Sequence, residues 1–355
     1  VRAQPKPAIQ SLLLSDLAEQ VQPAYRANQI AEWLYAKRIE SFDAMTNLPQ
    51  SVRSDLAEKF AFEKFEQVRV LGSKDTTQKF LWRLRDGNLI ESVLIPASPA
   101  LYGERSDRRT ICVSTQVGCA YGCKFCASGL EGFARNLQAS EIVQQLVDVE
   151  RASGEKIDNV VFMGMGEPLA NFENLTRAIQ IINAPWGLGI GARRITVSTS
   201  GLAPQIRKLA NDPTQVRLAV SLHGATDDVR SQIMPVNRKY NVATLLDACD
   251  YHARHKKQRI TFEYILINGV NDSDDQAHEL AKHCARVGAK VNLIPYNTVH
   301  GLEWKRPPRA RQEHFLSILH HHGTAATLRR EKGHDIDAAC GQLRLQTQRE
   351  QLVTS

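Results

Sequence analysis

The sequence of 355 residues has no stretch of about 18 consecutive apolar residues, so a membrane-spanning helix is not expected. Its opening VRAQPKPAIQ lacks the continuous apolar core of a secretory leader, and the cytoplasm is the expected compartment. No low-complexity tract interrupts it. Nor is there an excess of acid. The 45 Lys and Arg outnumber the 38 Asp and Glu, and the formal net charge of +7 favours a polyanionic partner, because phosphates neutralised by cations release their counterions. What is present, 43% hydrophobic and 23% charged residues, describes a globular enzyme with one large domain and a smaller appendage.

Seven cysteines without secretory signals point away from a disulfide framework and towards metal or catalytic thiols. Cys112, Cys119, Cys123 and Cys126 cluster, and Cys340 stands near the end in AACGQL. Cys249 and Cys284 sit alone in helical patterns and read as packing thiols.

The pattern is helical from Leu12 to about Phe60, where AYRANQIAEWLYAKRI places Ile30, Trp33 and Leu34 on one face. KFLWRLRDGNLIESVLIP reads as a hairpin turning at Asp86-Gly87-Asn88, followed by the partly basic loop PASPALYGERSDRR. From Thr110 onward, strands alternate with amphipathic helices: RTICVSTQ, NVVFMGM, RRITVSTS, VRLAVSL, RITFEYILI, KVNLIPY and TAATLRR. That alternation is the signature of parallel βα units, and the fold class is α/β, with a barrel favoured over a doubly wound sheet. The expected division is a helical module over 1–75, to which the resemblance given below assigns RNA recognition, a hairpin and loop over 76–110, the α/β core over 111–345 and a tail over 346–355. Polar and glycine-rich signals fall just after strands, where parallel barrels carry their chemistry.

In Cys119-Ala-Tyr-Gly-Cys123-Lys-Phe-Cys126 the spacing C-x3-C-x2-C offers three soft thiolates directly after a strand. Structural zinc normally takes four protein ligands. Three cysteines suit a 4Fe-4S cluster with one iron left open to chelate S-adenosylmethionine (SAM), whose sulfonium an electron from the cluster can cleave. A zinc site with Cys112 as fourth ligand remains the alternative. Gly164, Gly166 and Glu167 form a turn leaving a strand, where backbone can approach a ligand and a carboxylate can face the SAM ammonium.

These motifs resemble the radical SAM superfamily and, within it, the RlmN/Cfr family of RNA adenine methyltransferases. The resemblance spans nearly the whole chain, through YRANQIAEWLY, AMTNLPQSVR, ESVLIP, CVSTQVGCAYGCKFCASG, MGMGEPLANFENL, RRITVSTSG, AVSLHGATDDVR, NLIPYN and DIDAACGQL. It implies a partial (β/α)6-type barrel with an N-terminal helical accessory domain. It also implies a 4Fe-4S cluster on Cys119, Cys123 and Cys126, and two SAM molecules per turnover. Gly166, Glu167, Ser198, Ser221, Leu222, His223 and Asn297 are the expected SAM-pocket residues.

Adenine C2 is an electron-poor carbon, so it cannot be the nucleophile of an ordinary SAM methyl transfer. The resemblance implies that Cys340 is first methylated and then delivers a one-carbon radical, that Glu91 removes the ring proton, and that Cys112 forms a disulfide with Cys340 to free the product. The implied substrates are 23S ribosomal RNA at the peptidyl transferase centre and transfer RNA at the adenosine 3′ of the anticodon. The implied electron donor is of the flavodoxin or ferredoxin kind, and no membrane partner is expected. A C8-specific adenine methyltransferase shares every one of these residues, and a non-catalytic zinc-bearing RNA-binding protein is the rival from another class.

Basic residues recur at positions expected to form an RNA-facing rim: Arg105, Arg108, Arg109, Arg193, Arg194, Lys256, Lys257, Lys305, Arg306, Arg309, Arg311, Arg329 and Arg330. Tyr25, Trp33 and Tyr35 of the helical module read as core before base-stacking residues, and His320-His321-His322 as surface.

Overall fold

The computed structural model describes residues 6–73, 76–96, 108–129, 132–297, 303–329 and 343. Three short helices come first, Leu14–Gln20 (α1), Arg26–Ala31 (α2) and Gln50–Lys59 (α3). The helix α2 widens into a π-helical turn over Glu32–Ala36. Ile30 and Leu34 are buried there, and half-buried Trp33 donates its indole N–H to Asn47 Oδ1 at 2.6 Å. Tyr35 is buried, whereas Tyr25 is 60% exposed and so lies outside the core expected for it.

The strands Glu66–Gly72 (β1), Gln78–Arg83 (β2) and Leu89–Pro96 (β3) pair antiparallel, and β3 pairs antiparallel with Arg109–Cys112 (β4). Asp86-Gly87-Asn88 makes the β2–β3 turn as expected, with Gly87 at φ +84°. The loop 97–107 lies outside the described residues. The backbone leaves the sheet after Cys112 because Gln145 captures it. Ser114 N–H donates to Gln145 Oε1 at 2.8 Å, and Gln145 Nε2 donates to Ser114 O at 2.9 Å. Gln116–Gly118 (β5) then pairs with Phe133–Asn136 (β6) in a separate two-stranded clasp, which the sequence pattern had merged with β4.

Beyond the clasp the expected βα units run in order. They are Ala139–Ser153 (α4), Asn159–Phe162 (β7), Phe172–Asn183 (α5), Ile195–Thr199 (β8), Ala203–Asn211 (α6), Arg217–Ser221 (β9), Asp227–Ile233 (α7), Val242–Lys256 (α8), Thr261–Leu266 (β10), Asp274–Val287 (α9), Lys290–Pro295 (β11), Arg309–His321 (α10) and Ala326–Leu328 (β12). Local chemistry sets several of these ends. Glu141 reaches back to Gln138 N–H at 2.8 Å to start α4, and Gly154 at φ +71° ends it. Ser273 caps α9, with Asp274 and Asp275 complementing the helix dipole in its first turn.

The strands β4 and β7 to β12 are all parallel, and the described sheet has ten strands in the order β1-β2-β3-β4-β7-β8-β9-β10-β11-β12. This is the α/β architecture that the resemblance implies, extended at one edge by antiparallel strands. The helical module docks on α4 and α5: Arg177 pairs with Asp16 and donates to Ser11 O at 2.5 Å, and Ser140 Oγ donates to Glu63 Oε2 at 2.9 Å. Among the described residues no helix is long and apolar enough to cross a membrane.

Candidate functional site

Strand register decides which side chains share the concave face of the sheet. Residues paired across a ladder point to the same side, and side chains alternate along each strand. Cys112 pairs with Val93 on one side and Val161 on the other, Val161 with Thr196, Ser198 with Ala219, Glu263 with both Ser221 and Asn292, and Ile265 with Ile294. One face therefore carries Glu91, Cys112, Ser198, Ser221, Glu263 and Ile294, although they lie up to two hundred positions apart. At the C-terminal ends of these strands is a cavity of about 300 Å³ lined by Cys119, Cys123, Cys126, Gly166, Glu167, Ser198, Ser221, His223 and Asn297, among others. That volume suits a small-molecule site, at roughly 300–1,000 Å³.

The cysteine loop is braced by backbone bonds from Cys119 N–H to Gly132 O at 2.9 Å, Cys126 N–H to Cys123 O at 3.0 Å and Lys124 N–H to Ile233 O at 3.0 Å. Phe125, between the second and third cysteines, packs edge-on against His223 with ring centroids 4.6 Å apart. Burial pushes the Cys119 thiol up to about 12, and burial with repulsion from Cys126 and Cys119 pushes Cys123 up as well. Crowded, desolvated thiols hold their protons unless a metal centre supplies compensating positive charge. Among the described residues no group of three or more His, Cys, Asp or Glu side chains is placed to hold a single metal ion, and Cys112 belongs to β4, not to the loop. A cluster spreads its ligands over several metal atoms, so it fits this donor set better than mononuclear zinc does.

The glycine turn after β7 is required sterically. A Cβ on Gly164 would lie 2.6 Å from Val113 O, and one on Gly166, at φ +99°, would lie 2.5 Å from Gln116 Cβ. Gln116, a residue the motif reading missed, accepts from Glu167 N–H at 2.8 Å. The Glu167 carboxylate accepts from Ser200 N–H at 2.6 Å and Leu169 N–H at 3.0 Å, and burial pushes its pKa up. A cationic ammonium entering the cavity would offset that desolvation.

His223 sits at φ +55°, and its Nδ1 accepts from Ile265 N–H at 3.0 Å, which assigns the proton to Nε2. Burial lowers its pKa to about 3, so the ring is a neutral donor on the cavity wall. Asn297 Oδ1 accepts from Arg306 Nη2 at 2.7 Å, so it is presented from a fixed position. Leu222 departs from the expected set: its side chain is buried in the core and does not line the cavity, while its N–H donates to Glu263 O at 3.1 Å.

Sequence reasoning also missed Arg230 and Glu263. The fully buried Arg230 guanidinium donates to Ser200 O at 2.6 Å, Leu222 O at 3.1 Å and Asn237 Oδ1 at 2.8 Å, tying the loops after β8 and β9 together. Burial lowers its pKa to about 10. Glu263 lines the cavity and accepts from Asn292 Nδ2 at 2.7 Å. Both lie in stretches that read simply as helix and strand, where no local motif marks them.

Glu91 lies within β3, the second strand of the hairpin, opposite Leu81. It is buried and pairs with the equally buried Lys79, Nζ to Oε2 at 3.0 Å. It lies diagonally across from Cys112, at about 7–8 Å by ladder geometry. Leu343 packs on Leu81 and Leu89, which share the face of Glu91 and Lys79, so Leu343 itself meets the sheet beside these groups. Cys340 lies outside the described residues.

The basic rim is corrected by the structure. Arg193 and Arg194 precede β8 and Lys256 and Lys257 precede β10, at the strand ends opposite the cysteine cavity, because the chain enters the sheet there. Arg309 pairs with Glu313, and Arg311 with Asp274. Arg329 lines the cavity. Cys249 and Cys284 are buried in helices, and His320 to His322 are exposed.

A model of the radical SAM superfamily matches residues 113–281, and one of the ribosomal RNA large subunit methyltransferase N-terminal domain matches residues 13–61. The probable dual-specificity RNA methyltransferase RlmN of Akkermansia muciniphila is 53% identical over 338 residues, covering 95% of this chain and 94% of that protein. The dual-specificity RNA methyltransferase RlmN of Campylobacter curvus is 45% identical, with 94% and 92% covered. The crystal structure of a radical SAM methyltransferase from Sphaerobacter thermophilus superposes with a TM-score of 0.87 at 45% identity, covering 95% of this chain and 98% of that one.

Proposed function

The chain belongs to the RlmN family of radical SAM RNA methyltransferases, and from that premise we propose that it methylates C2 of adenosine in 23S ribosomal RNA and in transfer RNA. The observation that carries the reading is the shared concave face: Glu91 and Cys112 stand beside a cavity that holds three half-buried cysteines and the glycine-turn carboxylate.

Cys119, Cys123 and Cys126 would hold a 4Fe-4S cluster, and Gly166, Glu167, Ser198, Ser221, His223 and Asn297 would surround SAM. When bound, these groups supply a methyl cation equivalent from one SAM and a hydrogen-abstracting radical from a second, with the electron drawn from a flavodoxin- or ferredoxin-like donor. The protein's own residues do the rest. The neutral His223 Nε2–H donates to a ligand oxygen or nitrogen without adding charge, and Glu167 faces the ammonium. Cys340 carries the one-carbon unit to the base as a thioether. Glu91, held by Lys79, accepts the proton that leaves C2. The Cys112 thiolate attacks the Cys340 sulfur, the electron pair of the broken carbon-sulfur bond leaves with the one-carbon unit, and that carbon takes up a proton to become the methyl group. A Cys112–Cys340 disulfide is left for later reduction, and the odd electron of the radical adduct would return to the cluster. Leu343 supports this assignment, since it anchors the chain three residues past Cys340 on the face that carries Glu91.

The test is anaerobic turnover with SAM and each RNA, followed by mass analysis of the nucleosides. The expected product is 2-methyladenosine; 8-methyladenosine without it would replace the proposed regiochemistry.

A further inference from the structure

A second concavity opens at the other end of the parallel strands. It has a volume of about 670 Å³ and is lined by Arg193, Gln215, Arg217, Lys256, Lys257, Gln258, Arg259, Thr261 and Lys290, without a carboxylate. Register places Arg217, Thr261 and Lys290 on the concave side, since Arg217 pairs with Thr196, and Thr261 with both Ala219 and Lys290. The cavity is thus the lower mouth of the same barrel. It lies four residues, or about 13 Å, below the level of Ser221 and Ile265.

Several cations elsewhere on the molecule are held in ion pairs. Lys208 pairs with Glu173, Arg254 with Asp250 and Arg286 with Asp247. At the lower mouth, Lys256 is spent too, donating to Asp212 O and to Thr214 O at 3.0 Å. The other five, Arg193, Arg217, Lys257, Arg259 and Lys290, are exposed and make no ion pair or side-chain hydrogen bond among the described residues. Lys290 feels the field of Glu263, whose carboxylate is already bonded to Asn292. Five unpaired cations around one concavity repel one another, an arrangement that a polyanion would relieve.

The loop that supplies Arg193 also packs Trp186 against Tyr35 of the helical module, ring centroids 6.0 Å apart, so module and mouth are joined by one short connection. The four strands β8 to β11 spread the cations over about 14 Å at the usual strand spacing, wide enough for more than one phosphate.

We propose that the lower mouth binds the phosphate backbone of a folded RNA substrate, at a part of that RNA remote from the adenine held at the upper mouth. The proposal rests on the RNA-methyltransferase reading and extends it. It makes the enzyme a reader of RNA shape, because engaging both mouths at once requires an RNA that extends from one end of the barrel to the other.

The test compares the intact protein with the triple variant Arg217→Gln, Arg259→Gln, Lys290→Gln, and with a control of equal charge change, Lys208→Gln, Arg254→Gln, Arg286→Gln. Binding of a full-length transfer RNA and of its isolated anticodon stem-loop is measured from low to moderate salt. The expected result is a slope of log K against log salt that is shallower by about two to three for full-length RNA in the lower-mouth variant alone, with stem-loop slopes unchanged. Equal slopes for the intact protein and the lower-mouth variant on full-length RNA overturn the proposal. So does sodium triphosphate binding tightly at this mouth while the RNA slope stays the same, which would make it a small-anion site. If the slope shifts as expected but no methylated adenosine forms under reducing anaerobic conditions, the lower mouth stands and the functional reading fails.

Discussion

Replacing Lys79 with Met tests the Lys79–Glu91 pair directly. The two charged groups are 0% and 3% exposed and 3.0 Å apart, so water screens them little. Met keeps the length and apolar stem of Lys but removes the ammonium, leaving the Glu91 carboxylate buried without that cation. Breaking one partner of a buried pair costs about 3–5 kcal/mol. For 355 residues at roughly 2.1 cal/mol/K each, the unfolding entropy is about 0.75 kcal/mol/K, which converts the loss to a Tm lower by about 4–7 °C. The double variant Lys79→Met, Glu91→Leu removes both charges and should recover most of that stability, because an apolar pair of similar volume is often neutral or better. Thermal unfolding of the two single variants and the double variant closes the cycle. If Lys79→Met melts within 1 °C of the parent, or if the double variant loses the sum of the two single losses, the pair is not coupled and Lys79 does not hold Glu91 for catalysis. Glu91→Gln should also abolish release of methylated RNA, and full turnover by that variant would remove it as the base.

Cys123→Ala should lose most bound iron and sulfide after anaerobic reconstitution while the fold persists; iron content equal to the parent would contradict a three-cysteine cluster. Gly166→Ala adds a Cβ 2.5 Å from Gln116 at φ +99°, so SAM affinity should fall at least tenfold by equilibrium dialysis, at a packing cost of about 1–3 kcal/mol, and unchanged affinity would clear the turn of a ligand role. The pKa of His223, lowered to about 3 in the fold, leaves the unfolded chain binding more protons between there and about pH 6.5, so stability falls as pH drops through that window and is flat above it. His223→Gln should be less acid-sensitive than the parent by up to about 1.4 kcal/mol per pH unit between pH 5.5 and 4, and parallel denaturation curves there would contradict its burial as a neutral ring. Cys112→Ala should accumulate a covalent RNA–protein adduct on a denaturing gel, and clean turnover by it would exclude the resolving thiol.

What local spacing dictated was legible in the chain. The βα alternation from Thr110 onward became the parallel strands, and Asp86-Gly87-Asn88 became the hairpin turn. The three cysteines and the Gly164–Glu167 turn lie on one cavity, since each motif is closed by bonds within or next to itself. What pairing over long distances dictated was not legible. Side chains alternate every second residue, so a one-residue change of register would send Glu91 and Cys112 to the other face, and only the assembled ladder decides which side they take. The same is true of Lys79 as the partner of Glu91, of Gln145 drawing the chain out of β4 to make the clasp, and of Leu222 facing the core while Ser221 and His223 face the cavity. The basic residues were visible as a class, but their sorting between two mouths followed from the direction in which each strand is entered. A linear sequence carries composition and short-range geometry, whereas the side of a sheet and the end of a barrel exist only once strands distant in the chain have paired.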